Sequence, residues 1–78
     1  MEWTLHTVPE GAAAVIRDIQ IDGALRRRLL DLGFTPGAEV ACLFAAPSGD
    51  PRAYMVRGSV IALRRGDAEN IRALPARR

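Results

Sequence analysis

The sequence predicts a mainly β protein, a small β-barrel of about five strands with one inserted α-helix and a short C-terminal helical turn. Pro and Gly divide the chain into short segments. In most of them apolar and polar residues alternate, as they do in strands, and in one the apolar residues have the spacing of a helix. The chain has 78 residues and one cysteine, so no internal disulfide can stabilise it. We expect one domain over residues 1–78, with the sheet closed into a barrel, because closure removes open edges and lets so short a chain form a core.

The first half of the chain contains one predicted strand and the predicted helix. The strand covers Ala12–Asp18, after a Pro-Glu-Gly turn signal. The helix covers Gly23–Leu32, about three turns, with Asp22 as its N-cap. Gly33 is expected to take the left-handed conformation that ends a helix, and Pro36 prevents continuation. The apolar stripe of this helix consists of residues spaced i, i+4 and i+7: Leu25, Leu29 and Leu32.

A strand with one core face is predicted to follow the helix. Val40, Cys42 and Phe44 occupy alternate positions, so we expect all three to face the interior. Leu29 is expected to pack against Val40 and Phe44. A cysteine among apolar neighbours behaves as a small hydrophobic residue, so we expect Cys42 to be buried and unreactive.

The last part of the chain predicts a hairpin, a helical turn and a final strand. Asp67 is expected to cap the helical turn and Ala68 to be its inward residue. Residues 75–78 are expected to form a frayed tail. The strands are Ala53–Arg57 and Ser59–Arg64, joined across a left-handed Gly58, and Ile71–Leu74.

All 11 basic residues are arginine, and three of them, Arg26–Arg28, are consecutive on the predicted helix. The net charge is only +2, and three arginines lie in the last seven residues, which disfavours the broad basic face of a nucleic-acid binder. Successive helical residues are about 100° apart, so the run cannot form one patch. Asp22 and Asp31 stand at ion-pairing spacings from it, which indicates a solvated, salt-bridged face. The alternative is a docking edge for an acidic or nucleotide-loaded partner.

Residues of the kind that enzymes and metal sites need are scarce. The single histidine, His6, could ligate a metal only with Glu2 or Glu10, and we expect an unpartnered surface histidine instead. Ser48 and Ser59 have no histidine nearby in the sequence to act as a base, and no phosphate-binding glycine loop occurs. The sequence therefore indicates a binding module rather than an enzyme, with no cofactor and no metal.

Two features remain as candidates for partner binding. One is the exposed side of the helix that carries Arg26 and Arg27. The other is a polar loop with two prolines, and loops of this kind often carry recognition. The candidate docking surface joins the two arginines with the loop residues Pro47, Ser48, Gly49, Asp50 and Pro51.

No segment has the pattern of a membrane span or an export signal. The longest uncharged stretch, Val40–Gly49, is too short to cross a bilayer. The N-terminus carries Glu2 and lacks an apolar signal core. We therefore expect a cytoplasmic protein without direct membrane insertion; the sequence does not indicate an oligomeric state.

The segment Arg28–Gly37, which reads RLLDLGFTPG, resembles the central signature of FeoA-domain proteins. These are small cytoplasmic partners of the FeoB ferrous-iron transporter. The resemblance covers nearly the whole chain, and its short motifs are specific through their order and spacing. It extends from Leu5 and Pro9-Glu10-Gly11 through Val40, Ala46-Pro47, Gly49-Asp50-Pro51, Val56-Arg57-Gly58, Ile61-Ala62-Leu63-Arg64 and Ala68 to Ile71.

The resemblance implies an SH3-like barrel and a role in bacterial ferrous-iron uptake. It further implies docking on the cytoplasmic side of FeoB, a membrane protein with an N-terminal GTP-binding domain. Stabilisation of the transporter, regulation of nucleotide turnover and iron sensing all remain open as mechanisms.

Two alternatives remain. One is the SH3-like C-terminal domain of an iron-dependent repressor of the diphtheria-toxin-repressor type, which would require this chain to be a fragment. The other is a small nucleic-acid-binding barrel, which the sparse aromatic residues disfavour.

Overall fold

A computed structural model describes residues 2–76. They form a six-stranded antiparallel sheet in the order β1-β6-β2-β3-β4-β5. The strands are β1 Trp3–Thr4, β2 Ala13–Ile19, β3 Glu39–Ala45, β4 Arg52–Val56, β5 Ser59–Leu63 and β6 Ile71–Pro75. The helical elements are a 3₁₀ turn at Leu5–Thr7, α1 at Gly23–Leu32 and a short α2 at Arg65–Ala68. The predicted mainly β class with one helix and a C-terminal helical turn is confirmed.

The helix is confirmed at both of its predicted ends, Gly23 and Leu32. Asp22 occupies the N-cap position, although its side chain makes no capping hydrogen bond. Gly33 has φ 112°, and its N–H donates to the carbonyls of Leu29 and Leu30, as expected for a glycine that ends a helix. Of the predicted stripe, Leu29 is buried and Leu25 is exposed.

Three differences concern strands at the margins of the sheet. The two-residue β1 has too few residues for an alternating pattern, so it had no signal in the sequence. β6 continues through Pro75, and the N–H of Ala76 donates to the carbonyl of Ala13, so the predicted frayed tail does not begin at residue 75. Residues 77 and 78 of that tail lie outside the described residues. In the described part of the chain β1 and β5 remain edge strands, so the expected removal of sheet edges is incomplete.

The prediction that Phe44 faces the core is wrong. β3 contains an irregularity between Cys42 and Phe44, where the register against β4 shifts by one residue. Such a bulge turns the following side chains to the other face of the sheet. Phe44 is therefore 56% exposed and does not cover Leu29, while Phe34, just after α1, is fully buried.

One hydrophobic core lies inside the curved sheet. Its fully buried members come from nearly every element, and α1 contributes Leu29. Ala68 faces inward as predicted, but the residue before α2 is Arg64, so Asp67 does not cap this helix and lies within it. The largest fully buried side chains are Tyr54, Phe34, Leu5, Ile16, Leu29 and Ile71.

Candidate functional site

The outer side of α1 forms a shallow, open depression. Its floor and rim come from residues one turn apart along the helix: Gly23, Ala24, Arg26, Arg27, Leu30 and Asp31. Arg26 is half-buried, because its guanidinium donates to the carbonyl of Ile19 at the end of β2 (2.7 Å). Arg27 is exposed. Arg26 therefore fixes the helix to the sheet, and Arg27 is the one of the two arginines beside the depression that a partner can reach.

The predicted ion pairs along the arginine run do not form. Four salt bridges join described side chains, and none of them contains Arg26, Arg27, Arg28, Asp22 or Asp31. Ion pairs at an exposed surface contribute little to the free energy of unfolding, so the absence of these pairs destabilises the fold only slightly. Arg27 and Arg28 are free cations within residues 2–76 and are available to an acidic partner.

The loop at residues 46–51 is held in a defined shape by its own hydrogen bonds. The hydroxyl of Ser48 donates to the carbonyl of Asp50 (2.9 Å), and the N–H of Gly49 donates to the carbonyl of Ala46 (2.7 Å). The Asp50–Pro51 peptide bond is cis. Asp50 also accepts the N–H of Arg65 on its Oδ1 (2.9 Å), which attaches the loop to the start of α2.

The two halves of the predicted docking surface are anchored to different parts of the fold. Arg26 is bound to the end of β2, whereas the loop is bound to α2 through Asp50. No hydrogen bond or ion pair recorded within residues 2–76 joins the loop to α1. The side of α1 that carries Arg26 and Arg27, which we call the arginine face, and the loop are thus two separately anchored candidate surfaces.

A buried arginine is the polar feature that the sequence analysis missed. Arg52 is only 8% exposed, and its guanidinium donates to three main-chain carbonyls around the N-terminal 3₁₀ turn. The contacts are Nη1 with Leu5 (3.3 Å) and His6, and Nη2 with Val8 (2.7 Å). The position could have been found from alternation, because Arg52 shares a strand face with Tyr54 and Val56, both of which are buried.

Tyr54 completes this arrangement. Its hydroxyl donates to the carbonyl of Leu5 (2.8 Å), so this carbonyl accepts from both Tyr54 and Arg52. Burial raises the pKa of Tyr54 to about 12, and the nearby charge of Arg52 acts in the opposite direction. Arg52 and Tyr54 therefore fasten the N-terminal segment to β4; they are structural rather than accessible to a ligand.

A second polar cluster lies at the surface and joins the neighbouring strands β6 and β2. Arg72 on β6 donates to both oxygens of Asp18 on β2 (2.9 and 2.6 Å). Its hydrogen bonds hold the pKa of Asp18 below the usual value, with desolvation opposing. Glu2 lies beside the same arginine (3.8 Å) and also pairs with Arg17. Each charged group of this cluster pairs with another member of it, so we assign the cluster a structural role.

The described residues offer no metal centre. No three His, Cys, Asp or Glu side chains among residues 2–76 lie close enough together to hold a metal ion. Cys42 is fully buried, and burial raises the pKa of its thiol, which favours the unreactive protonated form. His6 is half-buried, and its Nδ1 has no hydrogen-bond partner in the described part of the structure. No helix in residues 2–76 is long and apolar enough to cross a membrane.

An apolar surface lies on the outside of the β3–β4–β5 sheet. Cross-strand neighbours Ala41, Met55 and Val60 form one row, and Phe44, Ala53 and Ala62 form the next. Phe44 and Val60 are each 56% exposed. None of the six side chains is charged, and all except Ala53, which is 6% exposed, are at least partly exposed, which is unusual for a sheet face in contact with water. We call these six residues the outer apolar face.

Comparison with known proteins matches the FeoA domain family to residues 3–74. A fusion protein of Fe(2+) transport protein A and Fe(2+) transporter FeoB from Porphyromonas gingivalis is 37% identical over 67 residues, which are 86% of this chain and 8% of the fusion protein. The chain thus spans a small part of that relative.

Solved structures of similar proteins have the same fold. Iron(II) transport protein A from Clostridium thermocellum is 30% identical with a TM-score of 0.90, over 95% of this chain and 46% of that one. The FeoA protein of Stenotrophomonas maltophilia, solved in complex with zinc and described as a prokaryotic SH3 domain protein, is 32% identical with a TM-score of 0.80. The match covers 91% of this chain and 88% of that one.

Proposed function

This chain belongs to the FeoA domain family, and we propose that it promotes ferrous-iron uptake by docking on the cytoplasmic side of a FeoB-type GTPase transporter. As a member of the family it is a small, non-enzymatic SH3-like domain associated with ferrous-iron transport. The proposal assigns it a partner, a compartment and a mode of action, namely binding without catalysis.

The fusion relative carries this proposal. In that protein a segment similar to this chain is covalently joined to FeoB. Fusion of two domains keeps each at a high effective concentration near the other, which is useful only where the two act together. Where the two domains are on separate chains, the same arrangement requires binding, and binding requires an accessible docking surface.

The arginine face of α1 is the surface that we assign to this contact, with the 46–51 loop as a second one. Arg27 is exposed and unpaired within residues 2–76, and the depression beside it offers Leu30 as an apolar floor. Pro47, Ser48, Asp50 and Pro51 are exposed or nearly so and contribute nothing to the core. A transient contact of this kind buries less than about 1,200 Å² in total. Because a cation contributes, affinity should fall as salt rises.

A binding titration against the purified cytoplasmic part of a FeoB-type transporter tests the surface. Arg26 is a poor choice for substitution, since its bond to Ile19 holds the helix to the sheet. We therefore choose Arg27→Glu, with Arg28→Glu as the matched control, because Arg28 has the same charge on the same helix but does not line the depression. We expect Arg27→Glu to weaken binding by about tenfold, the effect of removing one favourable charged contact, and Arg28→Glu to leave it nearly unchanged.

The loop is tested by Pro47→Glu in the same titration. Pro47 is exposed, and none of the hydrogen bonds that shape the loop uses it. Weaker binding by this variant supports a two-part surface. Equal binding by Arg27→Glu, Pro47→Glu and the unchanged protein would contradict both assigned surfaces, while absence of binding by the unchanged protein would contradict the partner itself.

A further inference from the structure

Strand β5 has one unpaired edge. On one side it pairs with β4, from Ser59 opposite Val56 to Leu63 opposite Arg52. It is the last strand in the sheet order, so its other side has no neighbouring strand in the described part of the chain. No main-chain hydrogen bond from another element reaches its other side within residues 2–76. An edge of this kind is a template for an additional strand, and proteins usually protect it with charges, prolines or bulges.

The register shows which main-chain groups are free. The turn between β4 and β5 consists of Arg57 and Gly58, both with positive φ (50° and 76°), so Val56 and Ser59 form the hydrogen-bonded pair that closes the hairpin. Antiparallel pairs alternate, so Ser59, Ile61 and Leu63 bond to β4. The N–H and C=O groups of Val60 and Ala62 therefore point to the free edge. Both residues also belong to the outer apolar face.

The free edge and the outer apolar face together offer two kinds of contact to one extended segment. Main-chain groups of Val60 and Ala62 can add a strand to the sheet. Side chains of that strand would continue the rows that end at Val60 and Ala62, and would cover their exposed apolar surface. Ser59–Leu63 contains no charge and no proline, so nothing in the strand itself prevents pairing.

The charges beside β5 decide against a second copy of this chain as the occupant. Self-pairing that uses the free groups of both strands must place Val60 opposite Ala62 of the other copy. The same register then places Arg57 opposite Arg65 and Gly58 opposite Arg64, so that like charges meet at both ends. Other registers leave free groups unused. The arginine flanks thus protect the edge against self-association.

The same flanks favour an acidic partner. Arg57, Arg64 and Arg65 are all exposed. Arg65 has Glu69 nearby (3.5 Å), but Arg64 has no ion pair in the described part of the chain. An incoming strand with acidic residues at its ends would place its carboxylates beside these arginines. A second copy of this chain would place guanidinium groups there instead.

We propose that β5 binds an extended segment of a partner protein as an added strand, and that this segment has apolar side chains at alternate positions and acidic residues at its ends. The residues of this surface are distinct from those of the arginine face of α1, and at Arg65 they border the 46–51 loop, because Asp50 accepts the N–H of that arginine. The proposal does not depend on which protein supplies the strand, so it and the docking proposal above can fail independently.

The test uses a synthetic peptide of alternating valine and threonine between pairs of glutamates, titrated into the isotope-labelled chain and followed by amide shifts. We expect shifts confined to β5 and its flanks, and no binding by the same peptide with lysines in place of the glutamates. Shifts centred elsewhere, or equal binding of the lysine peptide, would overturn the proposal. So would a dimer of the chain alone formed through β5, seen by sedimentation.

Two variants separate main-chain pairing from simple apolar contact. Ala62→Pro removes an N–H from the free edge but none from the β4 ladder, a position where an edge strand tolerates proline. Ala62→Thr is its control, since it keeps the N–H. We expect Ala62→Pro to weaken peptide binding about tenfold, because one main-chain hydrogen bond is lost and the adjacent ones are weakened. We expect Ala62→Thr to bind normally. Normal binding by a folded Ala62→Pro variant would contradict strand addition.

A second pair of variants keeps the test decisive if Ala62→Pro does not fold. Val60→Glu places a negative charge beside the glutamates of the peptide and a charged group under the added strand, and Leu74→Glu makes the same kind of change at a 41% exposed apolar residue on β6. We expect Val60→Glu to abolish peptide binding and Leu74→Glu to retain it. Equal affinities for the two variants would overturn the proposal.

Discussion

Strands β4 and β5 are neighbours in one hairpin, yet they place opposite kinds of residue in opposite environments. β4 buries a charged side chain, Arg52, which is 8% exposed, whereas β5 exposes an apolar one, Val60, which is 56% exposed. The buried charge is stabilised because three carbonyls accept its hydrogen bonds. The exposed apolar side chain has no such compensation within residues 2–76. The inner side of the hairpin thus completes the fold, and its outer side remains available to a partner.

Replacing the buried arginine should have the largest effect. Arg52→Met keeps much of the side chain's volume but leaves the carbonyls of His6 and Val8 without their donor, while the carbonyl of Leu5 still accepts from the hydroxyl of Tyr54. Each orphaned group costs about 1–3 kcal/mol, and the two together are a large part of the stability of a small domain. We expect the variant to be largely unfolded in urea titrations. The control is Arg64→Met, an exposed arginine, and equal midpoints for the two would contradict the structural role of Arg52.

The next largest effect compares the core with the outer apolar face. Leu29 is 1% exposed and Phe44 is 56% exposed. Leu29→Ala should cost about 2–5 kcal/mol through lost burial and the cavity left behind. Phe44→Ala, although it removes a larger side chain, should cost less than about 1 kcal/mol because that ring is already largely in water. Denaturant midpoints measure both, and a larger loss for Phe44→Ala would place Phe44 in the core after all.

The third prediction concerns alkaline pH. Burial raises the pKa of Tyr54 to about 12 in the folded protein, above the value of about 10 for an unfolded tyrosine. The neutral hydroxyl therefore stabilises the fold below pH 10, and this contribution is lost as pH rises from about 10 to about 12, by up to about 1.4 kcal/mol per pH unit. Tyr54 is the only tyrosine, so tyrosinate absorbance reports it alone. Ionisation of the folded protein near pH 10 would show that the hydroxyl is not held as described.

An effect smaller than that of Leu29→Ala is expected at the end of α1. Gly33 has φ 112°, and a Cβ there would lie 2.8 Å from Cδ of Arg57. Gly33→Val should cost about 1–2 kcal/mol through left-handed strain, while the arginine side chain can move aside. Gly66→Ala is the control, because Gly66 lies in α2 without a positive φ and with open space around it. Unchanged thermal stability of Gly33→Val would refute the helix-ending role of this glycine.

The sequence predicted the elements with strong local signals and missed those that depend on distant contacts. The helix ends at Leu32 because the stripe and Gly33 agree, and both are local. The bulge that turns Phe44 outward depends on how β3 pairs with β4, which strict alternation cannot reveal. The partners of Arg52 lie 44 to 47 residues away along the chain, so only the fold identifies them.

The candidate site was predicted only as a set of exposed residues. Arg26 and Arg27 are adjacent in sequence, but their different roles depend on the carbonyl of Ile19, which only the packed helix brings near. The loop lies where its two prolines and polar residues indicated, and its attachment to α2 through Asp50 carries no sequence signal. The free edge of β5 was not predicted, because a closed barrel was expected to have no edges.

Ferrous-iron uptake in cells tests the central claim most directly. The host is a strain that has a FeoB-type transporter and lacks its FeoA-family protein, and uptake is measured with and without this chain supplied in trans. We predict that uptake is impaired without the chain, is restored by the unchanged chain, and is restored poorly by Arg27→Glu but well by Arg28→Glu. Full uptake in the strain without the chain would contradict the claim that it promotes transport by docking on the transporter.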